Sequence, residues 1–103
     1  MNKKVISYIG FAKKSGKLVS GVNTCTFSMA KGKVKLILLS EDISENSEKK
    51  IMKEIRKHNV PYVQYGNSAE LSHAVGAEGR NVFGLCDKNF AEVILKEIDG
   101  ESR

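Results

Sequence analysis

Apolar residues recur at helical spacing twice in the first third of the chain. Residues 3–14 form the first such segment, and Ser15-Gly16 ends it. The second segment begins at Val22 and stops at Gly32. We expect the buried face of this second helix to consist of Val22, Cys25, Thr26, Met29 and Ala30. A very short strand, Leu18-Val19, is predicted between the two helices.

The rest of the chain alternates between strand-length apolar runs and helix-start signals. The runs lie at Val34–Leu39, Tyr62–Tyr65 and Asn81–Cys86. Capping residues that precede three further helices stand at Ser44, Asn67 and Asp87, and Pro61 marks the end of the first of these helices. Helix and strand therefore alternate from start to finish. This order predicts a layered α/β sandwich with helices on both faces of the sheet, in a single domain over residues 1–103.

The composition is that of an ordinary globular protein. Hydrophobic residues make up 41% of the 103 positions and charged residues 28%. No apolar run approaches the ~20 residues of a membrane span, and no signal-peptide pattern follows Met1. We therefore expect a cytoplasmic protein without a membrane partner. Cys25 and Cys86 form no CxxC pair, and we expect both to be buried thiols in a reducing compartment.

Charge is distributed unevenly along the chain. The first forty residues contain eight lysines and no acid, and Glu41 is the first carboxylate. The remaining 63 residues carry nine basic and twelve acidic side chains, so the two parts have charges of +8 and −3. This segregation indicates a surface that faces a polyanion. It favours nucleic acid, and it leaves a membrane surface or an acidic protein as alternatives.

Features that could indicate catalysis do not meet the requirements of known sites. Residues Gly10–Lys17 resemble a phosphate loop, but five residues separate the glycines where four are needed. Leu18 follows the lysine where Ser or Thr is needed, and no strand precedes Gly10. His58 and His73 are isolated from other metal ligands. We expect no catalytic residues, no metal, no cofactor and no small-molecule substrate.

The second predicted helix presents an outward stripe of Asn23, Phe27 and Lys31, with Thr24 and Ser28 beside it. Amides contact base edges, lysines contact phosphates, and free N–H groups at a helix start favour anions. Ser20-Gly21 just before the helix allows the backbone to approach a ligand closely. The stripe is thus a candidate for reading nucleic acid. Asn23 could instead only cap the helix, and Phe27 could pack in the core.

Two adjoining segments carry a resemblance to a known family. The first segment is Lys17-Leu-Val-Ser-Gly21-Val-Asn23-Thr24-Cys-Thr26, and the second is Lys31-Gly32-Lys33-Val-Lys35-Leu-Ile-Leu-Leu-Ser-Glu41-Asp42. They resemble the kink-turn RNA-binding ribosomal proteins of the L-seven-Ae and L-thirty-e type. The chain is especially similar to the small bacterial YlxQ-type members. The resemblance continues through Val60-Pro61-Tyr62, Leu71–Gly76 and Asn81–Cys86, and so spans nearly the whole chain.

The resemblance implies a three-layer α/β/α sandwich with a four-stranded mixed sheet. It also implies binding at an RNA kink, where a Gly-x-Asn-Glu motif reads guanine edges and a later loop touches extruded nucleotides. The motif corresponds to Gly21, Asn23 and position 24, and the loop to residues 77–80. The chain departs from the family at three places: Thr24 replaces the Glu, Phe27 replaces a lysine, and Gly79-Arg80 replaces an apolar wedge.

The function hypothesis is a non-enzymatic, ribosome-associated protein that recognises structured, kink-turn-like RNA. Lysines would contact phosphates, and the loop after the fourth helix would form a second clasp. The expected RNA-binding residues are Lys17, Ser20, Gly21, Asn23, Thr24, Phe27, Lys31, Lys33, Lys35, Gly76, Ala77, Glu78, Gly79 and Arg80. The alternative is a protein-interaction module on the same fold that has lost RNA specificity, which Thr24 and an exposed Phe27 would favour.

Overall fold

A computed structural model describes residues 2–101, and helices and strands alternate along it as predicted. The helices are α1 (Lys3–Lys14), α2 (Val22–Ala30), α3 (Glu45–His58), α4 (Ser68–Ala74) and α5 (Lys88–Glu101). The strands are β1 (Leu18–Ser20), β2 (Leu36–Leu39), β3 (Tyr62–Gln64) and β4 (Val82–Leu85).

The strands form one mixed sheet in the order β1-β4-β2-β3. Strand β4 pairs antiparallel with both β1 and β2, and β2 pairs parallel with β3. Because β4 lies between β1 and β2, the residues just before and just after β4 lie beside the ends of these two strands. The start of β4 adjoins the end of β1, and the end of β4 adjoins the start of β1.

Alternate side chains of the sheet enter two separate cores. Leu36, Leu38, Phe83 and Leu85 pack with buried residues of α1, α4 and α5 on one face. On the other face, the intervening residues of β2 and β4 pack with α2 and α3. This is the period-two alternation of a strand covered on both sides. The predicted three-layer α/β/α sandwich with a four-stranded mixed sheet is confirmed.

Short-range capping fixes where most helices begin. The side chains of Asn2, Ser44 and Asn67 accept hydrogen bonds from the first turns of α1, α3 and α4. Asp87 accepts from the backbone N–H of Phe90 in α5 at 2.9 Å. Helix α3 ends at a left-handed Asn59, before Pro61 is reached. The local sequence therefore predicts these boundaries closely.

The buried face of α2 differs from the prediction. Ser28 is buried and Ala30 is exposed, whereas the spacing predicted the opposite for both. After α2 the chain turns at Gly32 and folds back, and the N–H groups of Lys31 and Lys33 donate to the Ser28 carbonyl. The returning backbone covers Ser28 and rotates the buried face toward it.

The two cysteines are both free, but only one is fully buried. Cys25 is buried, and burial raises the pKa of its thiol to about 12, with the nearby Cys86 adding to the shift. Cys86 is half-buried, which corrects the expectation that both thiols are enclosed.

Gly84 in the middle of β4 provides a test of the packing. A Cβ added there would lie 3.1 Å from Val19 Cγ2 and 3.4 Å from Cys25 Sγ. We expect Gly84→Ala to lower the free energy of unfolding by about 1–3 kcal/mol because the Val19 methyl must move to make room for the added Cβ. Chemical denaturation measures this.

The control for this test is Gly100→Ala in α5, where a Cβ would meet nothing within 4 Å. This variant should be as stable as the parent, or more stable by up to about 1 kcal/mol, since alanine favours a helix. Equal stability of Gly84→Ala and the parent would contradict the tight packing.

Candidate nucleic-acid interface

The start of α2 is open to an approaching ligand. Gly21 precedes the helix at φ 96°, a conformation that side-chain-bearing residues rarely adopt, and its N–H donates to the Val82 carbonyl at 2.8 Å. No side chain caps α2, in contrast to α1, α3 and α4. Asn23 therefore does not serve as the cap, and the first-turn N–H groups lack the side-chain partner that other helices have.

The outward stripe of α2 is exposed as predicted. Asn23, Thr24 and Lys31 are exposed, and 61% of Phe27 is accessible to solvent. The Lys31 ammonium lies 4.4 Å from the centroid of the Phe27 ring, within cation–π distance. Phe27 is thus part of the surface and not of the core. An amide, a hydroxyl, an aromatic ring and a cation share one face of this helix.

A single buried serine shapes the loop after α4. The Ser72 hydroxyl accepts from the Arg80 backbone N–H at 2.9 Å and donates to the Arg80 carbonyl at 3.1 Å. The Ser72 carbonyl accepts from the Ala77 N–H at 2.9 Å. Left-handed glycines at 76 and 79 let the chain turn back toward α4. Ser72 therefore fixes both ends of residues 77–80.

The loop and the start of α2 meet at Arg80. A Cβ built on Gly21 would lie 3.4 Å from Arg80 Nη1, so the guanidinium lies against the Gly21 backbone. Arg80 itself is exposed. An open depression of about 880 Å³ adjoins the loop and is lined by Ala69, Ser72, His73, Gly76, Ala77, Glu78 and Gly79. The structure therefore places Arg80, at the end of the loop at residues 76–80, against Gly21. Ser20 precedes Gly21 at the end of β1, and Asn23, Thr24, Phe27 and Lys31 follow it along α2.

Three predicted lysines lie at the other end of the sheet. The Lys17 carbonyl accepts from the Cys86 N–H, and the Lys35 N–H donates to the Leu85 carbonyl, both at the end of β4. Gly21 pairs instead with Val82 at the start of β4, about 13 Å away along the strand. Burial raises the pKa of the Cys86 thiol, and the charges of Lys33 and Lys35 oppose part of this shift. Lys17, Lys33 and Lys35 thus form a separate basic group beyond the end of α2.

Sequence reasoning did not find Ser72, nor the link between Ser40 and Asn81. The Ser40 hydroxyl donates to Asn81 Oδ1 at 2.9 Å, beside the start of β4. Ser40 and Ser72 are buried, but each is a small polar residue whose partner is remote or lies across a loop. Neither a hydrophobic pattern nor a capping motif marks such residues.

The remaining candidates from the sequence are the segment that resembles a phosphate loop and the two histidines. Gly10 lies within α1, so Gly10–Lys17 is the last part of a helix and its exit, not a phosphate loop. His58 Nε2 lies 3.7 Å from Glu54 Oε1 within α3, and both side chains are half-buried. Residues 2–101 contain no group of three or more His, Cys, Asp or Glu placed to hold a metal ion. Within the same range, no helix has the length and apolarity needed to cross a membrane.

The sequence of these elements matches a known protein family. Residues 3–94 match the Ribosomal protein L7Ae/L30e/S12e/Gadd45 family. The chain belongs to this family. The match covers every element described above up to the first half of α5, including the start of α2 and the loop after α4.

Individual relatives agree with the family assignment. The chain is similar to RNA-binding protein YlxQ of Enterococcus faecium, with 31% identity over 95% of this chain and 94% of that protein. It is 32% identical to RNA-binding protein YlxQ of Bacillus subtilis over 88% of this chain and 91% of the relative. A structure of a Bacillus halodurans protein of unknown function superimposes with a TM-score of 0.87, at 28% identity, over 95% of this chain and 99% of that one.

The role of Ser72 in this family member can be tested directly. In Ser72→Ala the Arg80 N–H loses its buried acceptor, so we expect the free energy of unfolding to fall by about 1–3 kcal/mol. The Arg80 amide should exchange its hydrogen faster, as measured by NMR.

The control for this test is Ser7→Ala, since Ser7 is exposed on α1. It should leave both quantities unchanged within a few tenths of a kcal/mol. Unchanged exchange at Arg80 in Ser72→Ala would contradict the proposed anchoring.

Proposed function

We propose that this protein binds structured RNA without catalysis, and that the surface formed by the start of α2 and Arg80 is the recognition site. The observation that supports this most is the approach of Arg80 Nη1 to the Gly21 backbone. It joins two segments, far apart in sequence, for which the family resemblance implies RNA contacts. Relatives named as RNA-binding proteins support the same class of ligand.

Each exposed group at the site suits one part of an RNA. The Asn23 amide both donates and accepts hydrogen bonds, as a base edge requires. Thr24 offers a single hydroxyl where the family motif has a carboxylate, so it forms fewer bonds to guanine. Arg80 has a planar guanidinium that can bind a phosphate with two hydrogen bonds or stack on an unpaired base.

The shape of the RNA grooves favours a kinked RNA over a straight duplex as the ligand of this site. The major groove of a regular RNA helix is too deep and narrow for side chains to read base edges. A kink widens the groove and turns nucleotides outward, which lets Asn23 reach bases while the loop at residues 77–80 contacts the extruded ones. Binding would stabilise a bent conformer that the RNA already samples. The ribosome is the proposed setting, in accordance with the family.

The basic group of Lys17, Lys33 and Lys35 has a different part in this proposal. These lysines lie about 13 Å from Gly21, along the direction of α2. An RNA stem that lies along α2 would extend from the recognition site to this group. The lysines would then contact phosphates of the stem and contribute affinity that does not depend on sequence.

The first prediction for this site separates base recognition from charge. Asn23→Ala should weaken binding of a kink-turn duplex by about 1–3 kcal/mol and leave a straight duplex unaffected. Lys31→Ala should weaken both, and should reduce the slope of log affinity against log salt by about one. Titrations over a range of salt concentrations measure both effects.

Lys96→Ala on α5 is the matched control, because it removes one exposed charge from a helix that packs on the opposite face of the sheet from α2. Equal affinity of the parent for kinked and straight duplexes would rule out kink recognition. If neither RNA bound, and partners captured by the protein persisted after ribonuclease treatment, the exposed Phe27 would instead be a protein contact.

A further inference from the structure

The outward face of α1 carries an aromatic ring among lysines, which the proposed recognition site does not use. Val5, Ile9 and Ala12 fill the buried face of this helix. Phe11 lies away from them and remains 55% exposed. At 100° per residue, the exposed residues on this side fall within an arc of about 100°. They are Lys3, Lys4, Ser7, Phe11 and Lys14, and we refer to them as the α1 face.

The lysines of the α1 face are largely without counter-charges. Within residues 2–101, Lys4 is the one of the three with a carboxylate nearby, and its ammonium lies 3.9 Å from Glu97. Lys4 remains mostly exposed in spite of this contact. Lys13, also exposed, adds positive charge near the end of α1. The α1 face therefore attracts a polyanion.

The α1 face lies on the opposite side of the sheet from α2. Helix α1 packs in the core with α4 and α5, whereas α2 packs in the core with α3. The molecule measures 26 Å even in its narrowest dimension. A stem lying along the outward stripe of α2 therefore does not also contact Phe11. A ligand of the α1 face is a second segment or a second molecule.

The exposed ring indicates which polyanion fits. In a double helix the bases are stacked on one another, and a ring on a convex helix cannot reach their faces. Single strands present unstacked bases that aromatic side chains can stack on, while nearby lysines contact the backbone. Protein interfaces are depleted of lysine, so a ring surrounded by lysines is a poor match to a protein partner.

We propose that the α1 face is a second RNA-binding surface, at which Phe11 stacks on a base of a single-stranded segment while Lys14 and Lys4 contact its phosphates. The protein would then hold two RNA segments, one on each side of the sheet. This inference does not depend on the recognition site at Gly21 and Arg80.

The test uses a fluorescent oligouridylate of about 12 nucleotides, a length that suits a short binding surface. The parent should bind it, and Phe11→Ala and Phe11→Leu should both weaken binding by about fivefold or more. Leucine keeps an apolar side chain but removes the flat π-face. Lys14→Gln should also weaken binding and reduce its salt dependence.

Two variants are matched controls. Tyr62→Ala removes an exposed aromatic ring from β3, at the far edge of the sheet, and Lys50→Gln removes an exposed charge from α3. Both should bind the oligouridylate like the parent. Parental affinity in Phe11→Leu, or an absence of binding by the parent, would overturn the proposal. So would competition by polyglutamate as effective as that by unlabelled oligouridylate, because polyglutamate has charge without bases.

The two surfaces are distinguished by a second measurement. Asn23→Ala should bind the oligouridylate normally, and Phe11→Ala should bind a kink-turn duplex normally. The parent saturated with that duplex should still bind the oligouridylate. Displacement of one RNA by the other would overturn the second surface. If the duplex does not bind at all, the Phe11 series still decides the question.

Discussion

The missing side chain at Gly84 lets β1 and α2 pack closely over the middle of β4. A Cβ there would lie 3.1 Å from Val19 of β1, which is tighter than an ordinary contact, and at contact distance from Cys25 and Val34. Protein interiors do not yield easily to extra atoms, so the position of Val19 depends on this glycine. Strand β1 leads directly into α2, and between them the Gly21 N–H bonds to Val82 at the start of β4. The candidate recognition site depends on this arrangement.

The same strand carries the second half of the site. Arg80 stands just before β4, so the ladder that pairs β4 with β1 brings it to Gly21. Ser72 then fixes the Arg80 backbone from the other side with two hydrogen bonds. Such buried, satisfied polar groups hold a loop in one conformation. A surface assembled from a helix start and a tethered loop is pre-organised, which reduces the entropy lost on binding.

Local sequence predicted the fold well because its signals act over a few residues. The side chains of Ser44 and Asn67 cap their helices by accepting from N–H groups only three residues further along the chain. Short apolar segments between the helices likewise indicated every strand. The rotation of α2 toward Ser28 was missed, because it depends on backbone that returns after Gly32. Likewise, the charge pattern grouped Lys17, Lys33 and Lys35 with Gly21, whereas the sheet separates them. Contacts such as Arg80 with Gly21 need the strand order, which no local pattern contains.

If the start of α2 and the loop ending at Arg80 act as one RNA-binding surface, both segments contact the same RNA. NMR titration of the isotope-labelled protein with a kink-turn duplex measures this. We expect the amide signals of Gly21, Asn23 and Thr24 to shift together with those of Gly79 and Arg80, at the same RNA concentration. Shifts confined to residues near Lys17, Lys33 and Lys35, with the signals of Gly21 and Arg80 unchanged, would contradict it.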